Sequence, residues 1–379
     1  MASATATVSA APAQAVPQIV ARDPAGHGLL CHLDGKSILL MQGTPEQMGA
    51  AQGALLKEHV QKLVRRALYL VGSVDSVRGD TWFFDRMAEI ERRTTPHIPA
   101  RFFQEMDAIA KSAGLSQRDG RYSNLFPERF HCSGVAVCGS ASKDGHVYHA
   151  RVLDYMSFVN LQESAAIQVY MPEGFHSWIS VGYAGFVGTV TAMNDQGLAV
   201  GEMGGRGEGD WDGMPMSLLL RDIMERANNV DEAIDILKKT PRTCEYYYIF
   251  SDKSRKIAGI HATAKVVEVL HPGEQNPQLP FVPKDTVFIS ADERACALSD
   301  RLKKNLGQID AAKLIEIIKR PVASQNNLHN AVFAPEDLEL WFADAGKNTP
   351  ACDEKYVRCN LRQLVQFYKT AQQPAGKAE

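Results

Sequence analysis

An α+β fold is predicted from two patterns in the sequence. The first 115 residues carry apolar side chains at helical spacing, whereas from Cys132 onward short runs rich in Val, Ile and Tyr are separated by Gly, Pro and Asn turns. The β-rich part contains no internal repeat and no long low-complexity linker. We therefore expect one domain in which helices lie outside the strands.

Capping residues mark the start of the first helix. Thr44 can cap a helix, and Pro45 suits its first position because the N–H that proline lacks would be unpaired there. Apolar residues at helical spacing then continue over residues 48–70. Two further helices are predicted over residues 82–93 and 101–113.

Turn signals divide the rest of the chain into strands and helices. The predicted strands cover residues 146–155, 165–171, 177–181, 188–193, 198–203, 246–250, 256–261, 266–270, 286–290, 330–333 and 338–343. The predicted helices cover residues 216–227, 230–239, 294–306 and 311–319.

Composition excludes several classes of protein. The 379 residues include 45% hydrophobic and 22% charged side chains, which is typical of a globular protein. The formal net charge of -3 gives no reason to expect a nucleic-acid partner, and no apolar run is long enough to predict a membrane span. The seven cysteines are scattered without a C-x-x-C pair or metal-ligand spacing, so neither a disulfide framework nor a metal site is expected.

The first 20 residues are rich in Ala, Ser and Thr and are predicted to be a disordered leader. They lack the basic start and the continuous apolar stretch of an intact signal peptide, which makes a cytoplasmic location the default expectation. Residues 11–15 resemble the small-residue end of a secretion signal, so a trimmed signal stays open as the alternative.

The stretch from His131 to Asp154 is predicted to form a β-hairpin. Its two strands, 132–139 and 146–155, are joined by the Asp-Gly pair of a tight turn. Pairing of the strand ends would bring Cys132 opposite the region of Arg151, and a nearby guanidinium favours the thiolate form of a cysteine. The alternative is that Cys132 is a small buried apolar residue.

This hairpin resembles the nucleophile region of N-terminal nucleophile (Ntn) hydrolases. The similarity is with the branch that holds the penicillin acyltransferases of peptidase family C45 and the choloylglycine hydrolases. It rests on Phe-His-Cys-Ser-Gly-Val-Ala-Val at 130–137, on the Arg151-x-x-Asp154 pair, on residues 191–200 and on residues 246–252. The resemblance spans roughly residues 40–345.

The resemblance implies a four-layer αββα sandwich of two antiparallel sheets flanked by helices. It also implies a zymogen that cuts itself between His131 and Cys132. Residues 21–131 would then form a mainly helical α chain and residues 132–379 a catalytic β chain, packed together as one domain in an α/β heterodimer.

The resemblance further implies roles for individual residues. Cys132 would supply the nucleophilic thiol and, as a new N-terminus, an α-amino group whose reference pKa of about 7.7–8.0 suits a base. Arg151 would stabilise the thiolate, Asp154 would orient the amine, and Asn194 would donate to the oxyanion. The alternative for Arg151 and Asp154 is an ordinary cross-strand or surface pair, and the alternative for Asn194 is a turn residue.

The strand over 286–290 departs from the family pattern. The family carries a second asparagine there, whereas this chain has Ser290 followed by Ala291. Ser290, a backbone N–H or Asn327 could replace it, and the sequence does not choose among them.

A glycine-rich run at 201–213 is predicted to be a loop near the site. It lacks the Gly-Lys-Ser/Thr ending of a phosphate loop, and its acidic residues would repel phosphate. Predicted substrate contacts are Arg206 and Trp211 in this run, together with Tyr183 and Glu245; the alternative is a purely structural loop. A separate histidine base, His149, is also conceivable.

The predicted function is therefore an autoproteolytic cysteine Ntn hydrolase or acyltransferase without a metal or organic cofactor. Its small-molecule substrate would be a linear amide, an N-acyl amino acid or a short peptide, attacked through a Cys132 thioester. The alternatives are an unprocessed or non-catalytic ligand-binding relative, and an esterase or phospholipase of the same fold.

Overall fold

Two β-sheets, one of ten strands and one of six, form the centre of the molecule. The computed structural model describes residues 16–72, 82–125, 132–155, 160–206 and 209–373, and every structural statement below concerns these residues. The predicted α+β fold is confirmed.

The ten-stranded sheet is antiparallel except where β3 pairs in parallel with β6. Its strands, in spatial order, are β1 (Gln18–Arg22), β2 (Gly28–Leu33), β3 (Lys36–Gly43), β6 (Ala165–Pro172), β7 (Trp178–Tyr183), β8 (Thr191–Asn194), β9 (Leu198–Gly204), β10 (Tyr246–Asp252), β11 (Ile257–Ala262) and β12 (Val267–Leu270).

The six-stranded sheet is antiparallel throughout. Its strands, in spatial order, are β13 (Thr286–Ile289), β4 (Ser133–Val137), β5 (Tyr148–Asp154), β14 (Asn327–Ala334), β15 (Glu339–Asp344) and β16 (Val357–Asn360). Every residue of β4, β5 and β14 is buried, so the middle of this sheet is covered on both faces.

Helices cover the outer faces of the two sheets. The described helices are α1 (Pro45–Leu55), α2 (Lys57–Val64), α3 (Phe83–Thr94), α4 (Ala100–Ala113), α5 (Gln117–Leu125), α6 (Met216–Arg226), α7 (Val230–Lys239), α8 (Asp292–Lys304), α9 (Ala311–Ile317) and α10 (Leu361–Gln372). Apolar residues of α8 and α9 pack on the six-stranded sheet, whereas α1, α4, α6 and α7 share a core with the ten-stranded sheet. The implied αββα layering is confirmed.

Two glycines show how closely the sheets approach each other. A Cβ on Gly134 of β4 would lie 2.6 Å from Met203 Sδ, and a Cβ on Gly201 of β9 would lie 2.8 Å from Arg151 Cγ. Side chains at these positions would therefore force the sheets apart. Large side chains that face the space between the sheets, including that of Arg151, occupy the room that these glycines leave.

The predicted cap of the first helix is confirmed. Thr44 Oγ1 accepts from the Gln47 N–H at 3.3 Å, and Gln47 Oε1 accepts from the Thr44 N–H at 2.8 Å, which completes a capping box. The helix predicted over 48–70 is not continuous, however. It ends at Leu55, resumes as α2, and passes into a π-helix over Arg65–Val71.

The N-terminal segment also contains more strand than the sequence indicated. Residues 18–20 of the predicted disordered leader belong to β1, which pairs with β2, while residues 1–15 lie outside the described residues. Four of the five residues of β1 are exposed, so the strand is held by backbone hydrogen bonds. Its sequence therefore lacks the alternating apolar pattern from which a strand could be predicted.

His149 on β5 is a fully buried polar residue between the sheets. Its Nδ1 lies 2.9 Å from Ser251 Oγ of β10, and burial lowers the pKa of the imidazole to about 3. Below the ordinary histidine pKa of about 6.5, the unfolded chain takes up a proton that the folded chain excludes, so folding is destabilised as the pH falls.

We therefore predict an acid-sensitive stability that depends on His149. Between about pH 7.5 and pH 5, the wild type should lose about 2 kcal/mol more free energy of unfolding than His149→Gln. Urea denaturation at both pH values measures this difference. A matched variant at an exposed position, His271→Gln, should follow the wild type, and an equal loss in wild type and His149→Gln would contradict the prediction.

Candidate active site

Cys132 lies directly before β4 at the interface between the two sheets. The β4–β5 register pairs Ser133 with Val152 and Gly134 with Arg151, which confirms the predicted pairing of the two strands. The predicted tight turn between them is wrong, because the connection covers residues 138–147 and contains a 3-10 helix at Gly139–Ala141. Arg151 Nη2 donates to Cys132 Sγ across 3.4 Å, and Cys132 as a whole residue is only 7% exposed. The local pairing of two neighbouring strands therefore brings the thiol and the guanidinium together.

Burial decides the charge of the thiol in the intact chain. It raises the pKa of Cys132 to about 12, although Arg151 and a hydrogen bond from the Asp154 backbone lower it. The carboxylates of Glu202 and Asp154 add to the rise. The arginine thus favours the thiolate as expected, but it does not overcome the loss of water around the sulfur.

Arg151 is fully buried and spans the space between the sheets. Its Nε donates to the Glu202 backbone oxygen at 2.9 Å, and its Nη2 forms an ion pair with Glu202 Oε2 at 3.3 Å. Its Nη1 lies 3.2 Å from Nε2 of His329 on β14. The guanidinium is therefore held by groups from both sheets while one edge faces the thiol.

Glu202 on β9 balances this buried charge. Burial raises the pKa of its carboxyl group to about 7, and the Arg151 charge opposes that rise. Glu202 was not predicted from the sequence as a site residue. The available signal was a single acidic side chain inside a predicted apolar strand, which is costly unless it is paired.

Asp154 at the end of β5 is held by Arg294 of α8. Arg294 Nη2 lies 2.5 Å from Asp154 Oδ2, and the Ser324 N–H donates to Oδ1 at 3.2 Å. Burial raises the pKa of Asp154 and Arg294 lowers it. Arg294, which was not predicted from the sequence as a site residue, also donates to Ser133 Oγ at 2.8 Å.

Asn194 does not reach the thiol in this structure. Both hydrogens of its amide are used at the C-terminus of α6, one on Met224 O at 2.9 Å and one on Ala227 O at 2.8 Å. Its Oδ1 accepts from the N–H groups of Gln196 and Leu198. The predicted oxyanion donor is therefore corrected to a structural residue that holds the C-terminus of α6.

The two side chains considered as replacements differ in their surroundings. Asn327 donates its amide to Leu153 O at 3.0 Å and to Asn330 Oδ1 at 2.8 Å, so it is also occupied. Ser290 Oγ lies 2.7 Å from Ser133 Oγ and lines the same cavity as Cys132.

A cavity of about 440 Å³ opens beside Cys132. One part of its wall is apolar, with Met203, Leu270 and Leu279, and another part is polar, with Asn276 and Gln278. The cavity can therefore accommodate a small molecule that has both an apolar and a polar end.

The predicted substrate contacts lie apart from this cavity. Arg206 and Trp211 line a second cavity of about 600 Å³ beside α3. Glu245 accepts from the Arg206 N–H at 3.2 Å and lies 2.9 Å from His261 Nε2. The Tyr183 hydroxyl lies 2.8 Å from Nδ1 of His329, within the polar layer between the sheets.

His149 is not positioned as a base for Cys132. Its Nδ1 is engaged with Ser251, and among the described residues no histidine makes a hydrogen bond to the thiol. Among the same residues, no group of three or more His, Cys, Asp or Glu side chains could hold a metal ion. No described helix is both long and apolar enough to cross a bilayer.

Comparisons with known proteins agree with the resemblance seen in the sequence. The family model for acyl-coenzyme A:6-aminopenicillanic acid acyl-transferase matches residues 141–271, a region that begins after Cys132. Protein dcd1A of Dictyostelium discoideum is 25% identical over 87% of this chain and 84% of its own length. N-acylethanolamine-hydrolyzing acid amidase of Mus musculus is 26% identical over 60% of this chain and 67% of its own length.

A solved structure is also similar in part. The Caenorhabditis elegans ortholog of N-acylethanolamine-hydrolyzing acid amidase matches with a TM-score of 0.44 and 16% identity, covering 54% of this chain and 93% of that one. The family-model match and the curated relatives therefore support the similarity of this chain to the N-terminal nucleophile hydrolases, in the branch of the penicillin acyltransferases.

Proposed function

We propose that this protein is an amidohydrolase or acyltransferase that uses Cys132 as an N-terminal nucleophile. The observation that carries the proposal is the 3.4 Å contact between Arg151 Nη2 and Cys132 Sγ at the edge of a cavity of about 440 Å³. A thiol beside a fixed guanidinium and next to a substrate-sized space suits acyl transfer through a thioester.

The proposed precursor cuts its own chain before Cys132. The Cys132 thiol attacks the carbonyl carbon of His131, the peptide C–N bond breaks with a proton passing to the nitrogen, and water then hydrolyses the thioester. His131 lies outside the described residues, so the cleavage site is inferred from the position of Cys132 at the start of β4.

Cleavage would change the electrostatics of the thiol. In the intact chain the pKa of Cys132 is about 12, because the residue is buried and Glu202 and Asp154 lie nearby. A new α-ammonium group on the same residue adds a positive charge close to the sulfur, which favours the thiolate. In its neutral form the same amine serves as the base, with Asp154 within reach to orient it.

The cavity supports a linear amide with an apolar acyl part as the substrate. Met203, Leu270 and Leu279 would contact the acyl part, whereas Asn276 and Gln278 would contact a polar amine or amino-acid part. The name of the mouse relative states that it hydrolyses N-acylethanolamines, which are amides of this kind. Hydrolysis results if water reaches the thioester, and transfer results if an amine does.

We also propose that residues 21–131 remain bound after the cut. Within this segment, β3 pairs with β6 through six residue pairs, from Ile38 with Ile167 to Gly43 with Pro172. Buried residues such as Met48 and Met106 share a core with strands that follow Cys132. Separation of the two chains would expose this core to water.

Self-cleavage predicts two chains in the purified wild type. Mass spectrometry should find one chain that ends at His131 and one that begins at Cys132, while Cys132→Ala remains whole because it lacks the attacking sulfur. Cys138→Ala, which removes a neighbouring buried thiol, should be cut like the wild type. A wild-type chain that stays whole after prolonged incubation would contradict the proposal.

Tight association of the two chains is a further prediction. Size-exclusion chromatography in plain buffer should show both fragments in one peak, since they share strands and a core. Concentrated guanidinium chloride should separate them. Two peaks in plain buffer would show that the N-terminal segment is only loosely held.

Acyl chemistry is tested by offering matched amide and ester donors. The wild type should release product from the amide, and Cys132→Ala should be inactive. Turnover of the ester alone would favour an esterase, and absence of turnover with a cut chain would favour a ligand-binding relative.

A further inference from the structure

Besides the Glu202 carboxylate, a neutral side chain that was not predicted from the sequence as a site residue contacts the Arg151 guanidinium. His329 lies on β14, next to β5 in the six-stranded sheet, and is fully buried. Its Nε2 is 3.2 Å from Arg151 Nη1 and 3.0 Å from Thr191 Oγ1. Its Nδ1 is 2.8 Å from the Tyr183 hydroxyl.

These contacts define which nitrogen of the imidazole carries the proton. Arginine nitrogens only donate, so Nε2 of His329 must accept from Nη1. In a neutral imidazole the proton then sits on Nδ1 and is donated to the Tyr183 oxygen. Burial and the neighbouring Arg151 charge both lower the pKa of His329 well below its ordinary value, which keeps the ring neutral.

We propose that His329 is a positioning residue that holds the Arg151 guanidinium against Cys132. Nε and Nη2 of Arg151 are fixed by Glu202, and among the described residues His329 provides the acceptor for Nη1. Three nitrogens held from both sheets leave the planar group little freedom to rotate. The edge that donates to Cys132 Sγ is thereby directed at the sulfur.

The position of His329 separates it from direct contact with substrate. It does not line the cavity beside Cys132, and its ring is enclosed by Arg151, Tyr183 and Thr191. Its removal should therefore change the reactivity of the sulfur and leave substrate binding unchanged. This inference rests on the proposed nucleophilic role of Cys132.

A reaction without an acyl group tests this positioning role separately from the proposed function. Below the pKa of a thiol, its rate of alkylation by iodoacetamide is proportional to the thiolate fraction. The groups that face the sulfur and determine this fraction are Arg151, Glu202 and Asp154, together with the new N-terminus if the chain is cut. Peptide mapping reports Cys132 and the exposed Cys296 in the same sample, so Cys296 is an internal reference.

His329→Leu removes the acceptor, whereas His329→Gln can place an amide oxygen near the position of Nε2. We expect alkylation of Cys132 at about pH 8 to be about tenfold slower in His329→Leu, which corresponds to a rise of about one pKa unit, and to be largely restored in His329→Gln. With an amide substrate, kcat should fall about 10- to 100-fold in His329→Leu while KM stays within about twofold.

His149→Leu is the matched control, because it removes a second fully buried histidine from the same layer that makes no hydrogen bond to Arg151. It should keep the wild-type rate at Cys132. If His329→Leu does not fold, Tyr183→Phe is tested instead. We expect Tyr183→Phe to slow the alkylation of Cys132 measurably, but by less than tenfold. Wild-type alkylation of Cys132 in the folded His329 or Tyr183 variants would overturn the inference.

The outcomes distinguish the two proposals. If the wild type turns over no acyl donor, but Cys132 is alkylated more slowly in His329→Leu than in the wild type, the proposed function is overturned and the positioning role is retained. If the wild type turns over an amide, and His329→Leu has the same kcat and the same rate of Cys132 alkylation, the positioning role alone is overturned.

Discussion

The buried ion pair between Arg151 and Glu202 is the interaction on which the candidate site depends. A guanidinium cannot lose its proton in a protein, so its burial between two sheets requires a counter-charge and acceptors for its N–H groups. Glu202 on β9 supplies the charge, and His329 on β14 supplies a neutral acceptor. Gly201 leaves the room that the arginine stem needs. Removal of Glu202 alone would leave an unpaired buried charge, which is far more costly than loss of a surface ion pair.

The surroundings of Cys132 indicate how the proposed cleavage would change the reactivity of its thiol. In the intact chain, burial keeps the Cys132 thiol protonated although Arg151 touches it. The proposed cleavage replaces a peptide nitrogen by a charged amine next to the sulfur. The Asp154 carboxylate, which is paired with Arg294, lies near Cys132 and would accept a hydrogen bond from that amine. The intact chain therefore already holds Cys132 close to Arg151 and Asp154, the residues proposed to act on its thiol and on its new N-terminus.

Local patterns in the sequence predicted much of the fold, whereas contacts between distant segments escaped it. The capping box at Thr44, the Cys132 hairpin and most later strands follow from residue types over short windows. The Arg151 contact was predictable because it crosses a single hairpin. Three site residues come from distant parts of the chain. Glu202 and His329 lie 51 and 178 residues from Arg151, and Arg294 lies 140 residues from Asp154. No local sequence pattern predicts such contacts. Asn194 shows that a local resemblance can also mislead. The sequence around it resembles the family, but both hydrogens of its amide are bonded to carbonyl oxygens of α6 and of the residue that follows α6.

The most direct test of the account is to trap the acyl group on the protein. An amide donor is mixed with the enzyme, the reaction is stopped in acid during turnover, and the peptide that contains Cys132 is analysed by mass spectrometry. The account predicts that this peptide gains the mass of the acyl group and loses it on treatment with hydroxylamine, as a thioester does. Turnover with the acyl group on a residue other than Cys132 would contradict it.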